Sequence, residues 1–157
     1  MTSTNPICSC MQTPKRVSRT QDLHKTVDRA YITALLLTAS AEQAEAAILE
    51  GHRVTDLDST PGEALLGQTV NAAIKVQSET SEQPLEDLER ASSMLPFELR
   101  RVLHLQPAVR QCFVLRFLMG LPREVCARLL RMEIRQVDER ARTALLELPT
   151  IQSNGTY

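Results

Sequence analysis

The chain has 157 residues, 43% of them hydrophobic, with aromatics at 3%, no Trp and a formal charge of −1. That length suffices for one domain or two small ones, and an interior filled by Leu, Ala, Val and Ile suits packed helices better than a β-sandwich. No run of about 18 apolar residues occurs, so no membrane span is expected; residues 1–19 lack the apolar stretch of a secretory signal, and a cytoplasmic location is the expectation.

The near-neutral total hides a split. Residues 1–29 carry +3, residues 30–96 carry −8 and residues 97–157 carry +4. A basic end beside an acidic middle suggests that the end meets phosphate or an acidic partner.

In chain order, residues 1–20 read as a disordered basic tail. A first helix is expected over 21–39, with Leu23, Val27, Ala30, Tyr31, Ala34 and Leu35 on one stripe and Ile32, Leu36 and Leu37 widening it. Ser40 is the next N-cap, with Gln43 placed to reach back to the cap's N–H. A short second helix follows to about Gly51, with Ala44, Ala47 and Ile48 inward. Residues 52–60 form a loop. Thr60, Pro61 and Glu63 then signal a third helix over 61–77, with Leu66, Val70, Ala73, Ile74 and Gln77 on one face. Gly62 and Gly67 weaken it by roughly 1 kcal/mol each relative to Ala.

The polar, acidic segment 78–84 (SETSEQP) is the expected linker. Beyond it, a helix over 85–104 is broken near Pro96, because Pro cannot donate to the carbonyl four residues back. Pro107 opens a helix to Met119, which Gly120 stops. Pro122 opens a short helix over 123–130, with Val125, Cys126, Leu129 and Leu130 inward. Residues 131–133 turn the chain, and a last helix covers 134–148 with Ile134, Val137, Ala141, Ala144, Leu145 and Leu148 inward. Residues 149–157 are a second disordered tail. The whole is an all-α chain of two small helical domains, 21–77 and 85–148.

Two short helices with a three-residue turn match the spacing of a helix-turn-helix. The outer face of the second carries Arg135, Gln136, Glu139, Arg140 and Arg142. Such a helix fits a major groove with its N-terminal residues near base edges. Arg and Gln suit guanine and adenine edges, and Arg also contacts phosphate. The candidate DNA-binding residues are Arg123, Arg131, Arg135, Gln136, Arg140 and Arg142.

Pro107, Arg110, Leu115, Arg116, Gly120, Leu121, Glu124, Ala127, Leu130, Met132, Val137, Arg140 and Ala144 together resemble region 4 of extracytoplasmic-function sigma factors, over about 45 residues without a gap. More faintly, 41–49 and Asn71 resemble parts of region 2 of that family. The resemblance implies two helical domains on a flexible linker. It implies core RNA polymerase and promoter DNA as partners, with the last helix approaching the −35 element and the acidic middle open to polymerase or to an anti-sigma protein. The sequence departs from the family pattern in two places. The stretch after Gly51 lacks the aromatic, basic segment with which region 2 opens a promoter, since capturing bases from an opened strand needs stacking surfaces and positive charge. Asp138 and Glu139 stand where region 4 has Lys-Ser, Thr143 replaces an Arg and Arg131 replaces a Gly. An acid facing phosphate opposes binding, which raises the alternative of a degenerate sigma-like adaptor that binds a protein and not DNA.

No enzyme is expected: His24, His52 and His104 are scattered, with no nucleophile in a recognisable setting. No cofactor or metal is expected either. Cys8 and Cys10 match no zinc spacing, Asp56, Asp58 and Glu63 lack calcium-loop spacing, and Cys112 and Cys126 read as small buried core residues.

Overall fold

The computed structural model describes residues 15–55, 61–79 and 84–151. Among these every regular element is helical, so the chain is all-α. Of the expected tails 1–20 and 149–157, residues 1–14 and 152–157 fall outside the described residues, as do the Thr60 cap and the centre of the expected linker; residues 149–151, expected as tail, belong to the last helix.

Helix α1 spans Lys15–Thr38 and begins inside the segment expected as tail. Its C-terminal half is the apolar hub: Ala34, Leu35, Leu36 and Leu37 are all buried. Leu23 and Val27 remain exposed, contrary to the expected stripe, because the N-terminal half of α1 runs past the packed core. The buried Thr38 hydroxyl donates to Ala34 O at 2.8 Å, which satisfies it without leaving the helix. Ala39 then takes a left-handed conformation, φ 54°, and its N–H closes on Leu35 O at 2.8 Å. The chain reverses directly into α2, Ala41–Val54.

Ser40 caps α2 as expected, its Oγ accepting from Gln43 N at 3.5 Å. The Ser40 N–H points to Thr38 Oγ1 at 3.4 Å, so the reciprocal contact expected from Gln43 is replaced by a neighbouring threonine. The helix runs past Gly51 and stops at Thr55, whose N–H and hydroxyl both donate to Gly51 O. Glycine at 51 is a packing requirement and not a stop signal. A Cβ there meets Thr69 Oγ1 at 2.6 Å and Thr69 N at 2.8 Å. Helix α3, Pro61–Glu79, crosses there at that close range and continues two residues into the expected linker.

Helix α4 covers Leu85–Met94. Leu95 and Pro96 interrupt it, as the proline requires, and the short α5 (Phe97–Arg100) leads into a 3-10 turn over Arg101–His104. Helix α6 begins at Pro107 and is regular to Phe113. Over Val114–Leu118 it widens into a π turn, where Met119 N bonds to Val114 O at 2.9 Å. The four apolar residues of this segment, Val114, Leu115, Phe117 and Leu118, cannot all face inward on a regular helix. The extra residue in the turn keeps Val114 and Leu115 buried and sends Phe117 and Leu118 to the surface. Gly120, φ 68°, ends the element as expected. Helices α7 (Arg123–Leu130) and α8 (Ile134–Ile151) follow. Along α8 the buried positions are Val137, Ala141 and Ala144; Ile134 and Leu145, expected inward, are exposed because they lie at the margins of that stripe.

The two expected domains share one interior. A single cluster of buried side chains runs from Leu35 and Leu37 of α1 and Ala73 of α3, through Leu95 and Leu103, to Leu115, Cys126 and Val137. Arg110 of α6 fastens the halves together. Only 2% of it is exposed, and its guanidinium donates to Leu37 O of α1 at 3.3 Å, to Leu103 O at 3.4 Å and to Leu105 O at 3.5 Å. These are carbonyls at or beyond helix ends, where the helix itself provides no donor and a cation is favoured by the dipole. Burial pulls the Arg110 pKa down to about 10, so it stays charged at neutral pH, held by carbonyl dipoles without a bonded carboxylate.

Candidate nucleic-acid interface

The surface of interest is built by α7, the turn at 131–133 and the first half of α8. Val137, wholly buried, anchors α8 against α7 and α6, and Ala127 keeps the crossing close. The turn is made by Arg131, left-handed at φ 52° and ψ 48°, where α7 ends. Its N–H and that of Met132 return to α7 carbonyls, Met132 N to Ala127 O at 3.0 Å. A non-glycine residue in this conformation carries strain of about 1 kcal/mol.

The six candidate residues divide. Arg135 and Arg142 are exposed on α8 and Arg131 is exposed on the turn, as expected for groups meant to reach outward. Gln136 is exposed, but its Oε1 accepts from Glu133 N at 3.1 Å. It therefore caps α8 three residues into the helix, leaving its amide NH2 as the group free to donate. Arg140 is a correction. It is half-buried and its guanidinium lies 3.7 Å from Met132 Sδ, packed beneath the turn instead of projecting from it. Four residues after Gln136 and three after the buried Val137, it falls on the flank of the helix that faces α6.

Arg123 is exposed and paired. It meets Asp138 Oδ2 at 3.1 Å and Glu124 Oε1 at 3.1 Å. Asp138, an acid expected to oppose phosphate, is thus partly engaged by the neighbouring helix. The pairing raises the Arg123 pKa, and Glu124 is held below its usual value by its own backbone N–H and then by Arg123.

Beneath this surface lie Cys112 and Cys126, both free thiols. Burial pushes the Cys112 pKa up to about 11, with Arg140 opposing the rise, and burial raises Cys126 as well. At neutral pH both are protonated core side chains. Among the described residues no group of three His, Cys, Asp or Glu side chains converges as a metal site, and no helix is long and apolar enough to cross a membrane.

Two residues join the surface that the sequence reading did not select. Arg128 is exposed at the last turn of α7 and lines the hollow bordered by Ala127, Arg131, Ile134 and Gln136. Helical spacing alone places it outward, opposite the buried Cys126. Lys75 of α3 lines a second cleft together with Arg128 and Arg131. Only the packing of α3 against α7 brings it there.

No family model, curated protein or solved structure matches this chain.

Proposed function

We propose that this chain is a non-enzymatic transcription-initiation regulator of the sigma kind, in which α7 and α8 form a helix-turn-helix that approaches promoter DNA and the chain as a whole meets core RNA polymerase. The observation that carries the reading is the α7–turn–α8 unit itself: Val137 locked in the core while Arg128, Arg131, Arg135 and Arg142 stand exposed around the turn and the outer side of α8. Placed in a major groove, the first turn of α8 offers Arg135 to a base edge and the amide of Gln136 to an acceptor. The acidic middle of the chain is left to polymerase or to an anti-sigma regulator.

The test is binding of the purified chain to core polymerase and run-off transcription, alongside salt-dependent binding to duplex DNA. Phosphate contacts release counterions and give a steep salt slope. Absence of both polymerase binding and duplex binding would defeat the proposal.

A second reading has its own support. Arg123, Gln136 and Arg140 are each engaged within the protein, and Glu139 is exposed on α8. A sigma-like adaptor that binds a protein through this surface needs no phosphate contacts. Polymerase binding with a flat salt slope on DNA favours the adaptor.

A further inference from the structure

We propose that a duplex seated on α7 and α8 is also gripped by the front half of the chain, through Lys75 at the cleft between α3 and α7. The inference rests on the DNA-binding reading above and assigns it an additional phosphate contact.

Two hollows flank the end of α7. One is bordered by the turn and by Ile134 and Gln136 of α8; the other is bordered by Asn71, Ile74, Lys75 and Ser78 of α3. Arg128 and Arg131 line both. The surface therefore passes without interruption from the first turn of α8, over these two arginines, to Lys75. A duplex lying on α8 has its backbone within reach of that line of cations.

Charge supports the assignment. Lys75 is one of three basic residues in the segment 30–96, which also holds eleven acids. It lines the same cleft as the two arginines and is exposed, along with Asn71, whose amide can donate to phosphate oxygen. Among the described residues the cleft holds Lys75, Arg128 and Arg131 against one carboxylate, Glu79. On the other side Glu124 shares Arg123 with Asp138, and Glu133 is the other acid of that hollow among the described residues. A basic cleft of this kind contacts backbone, which is sequence-independent, so Lys75 adds affinity and registers the duplex without reading bases.

The experiment measures duplex affinity of the full chain by fluorescence anisotropy across a salt series, for the wild type, Lys75→Ala, Arg135→Ala and Lys25→Ala. Lys25 is exposed on α1, lines neither hollow, and removes the same charge. The expected result is weaker binding by Lys75→Ala at every sequence tested, a salt slope lower by about 1, and Lys25→Ala close to wild type. Matched melting curves establish that each variant is folded. If Lys75→Ala and Lys25→Ala weaken binding equally, the effect is net charge and the contact is refuted. If Arg135→Ala weakens binding and Lys75→Ala does not, the contact is refuted while the DNA-binding reading stands. If the wild type binds no duplex, both fall.

Discussion

Helices α2 and α3 and helices α7 and α8 are both neighbouring pairs, yet they are held by opposite means. The α2–α3 seam is made of small residues: Ala44, Ala47 and Gly51 on one side, Thr69, Val70 and Ala73 on the other. Its stability lies in close contact, and no ion pair crosses it among the described residues. The α7–α8 pair meets through a single large anchor, Val137. It adds a capped helix start at Gln136, a strained turn at Arg131 and a surface ion pair between Arg123 and Asp138. The first seam is committed to packing. The second leaves its outer side chains free and spends conformational energy on the shape of a turn, as a presenting surface does.

The contrast breaks down if the two pairs do not share an interior, and Arg110 decides that. Arg110→Ala removes a buried side chain and strands three carbonyls, with an expected loss of about 3 kcal/mol. Hydrogen exchange is the sharper readout. Protection should fall in α2–α3 and in α7–α8 together, since Arg110 bonds to Leu37 O of α1 and one buried cluster joins both pairs. Loss confined to residues 107–151 would mean two separately cored units.

Next in size is Gly51→Ala. The new Cβ would fall 2.6 Å from Thr69 Oγ1, 2.8 Å from Thr69 N and 3.0 Å from its Cα; two of the three are backbone atoms, which do not move cheaply. The gain in helix propensity is about 1 kcal/mol and overpacking outweighs it, for a net loss of about 2 kcal/mol in urea unfolding. Gly67→Ala is the matched contrast. Nothing lies within 4 Å of its Cβ position, so the propensity gain of about 1 kcal/mol should appear undiminished. Equal effects at the two glycines would show that close approach does not govern the α2–α3 seam.

These sites also mark what a sequence can and cannot reveal. Helix existence was legible almost throughout, because apolar spacing, Pro at first turns and Ser40 as a cap are local signals. The stripe Val137, Ala141, Ala144 was legible for the same reason, and so was the outward placement of Arg135 and Arg142. Gly51 was read as a helix end, because a glycine required by a neighbouring helix looks the same in sequence as a glycine required by a turn. Arg110 stood out as a motif position, but its role as the clasp between halves depends on Leu37, 73 residues away. The π turn, the inward Arg140 and the approach of Lys75 to Arg131 likewise arise from packing between distant segments, which periodicity does not encode.

Arg131→Gly separates stability from binding at the turn. Relief of left-handed strain is partly offset by the extra freedom glycine has when unfolded, leaving a gain of up to about 1 kcal/mol. Duplex affinity should fall at the same time, since a cation is lost from both hollows. A variant that is no more stable than wild type would mean that the turn is not strained. A variant that binds DNA as well as wild type would remove Arg131 from the interface.

The smallest effect is expected at the Arg123–Asp138 pair, and it tells the most about the acidic substitutions in α8. Both side chains are about half exposed, so the pair contributes little to stability and less as salt rises. A double-mutant cycle should show weak coupling that disappears at high salt. The consequence for DNA is larger than the consequence for folding. Asp138→Asn removes a carboxylate from the side of α8 that faces Arg123 and releases that guanidinium, which then has Glu124 alone as its partner. A freed Arg123 at the start of α7 should make a new phosphate contact, tightening duplex binding and steepening the salt slope by about 1. If Asp138→Asn leaves affinity and slope unchanged, Arg123 serves only to fasten α7 to α8, and the adaptor reading gains the residue that the DNA reading loses.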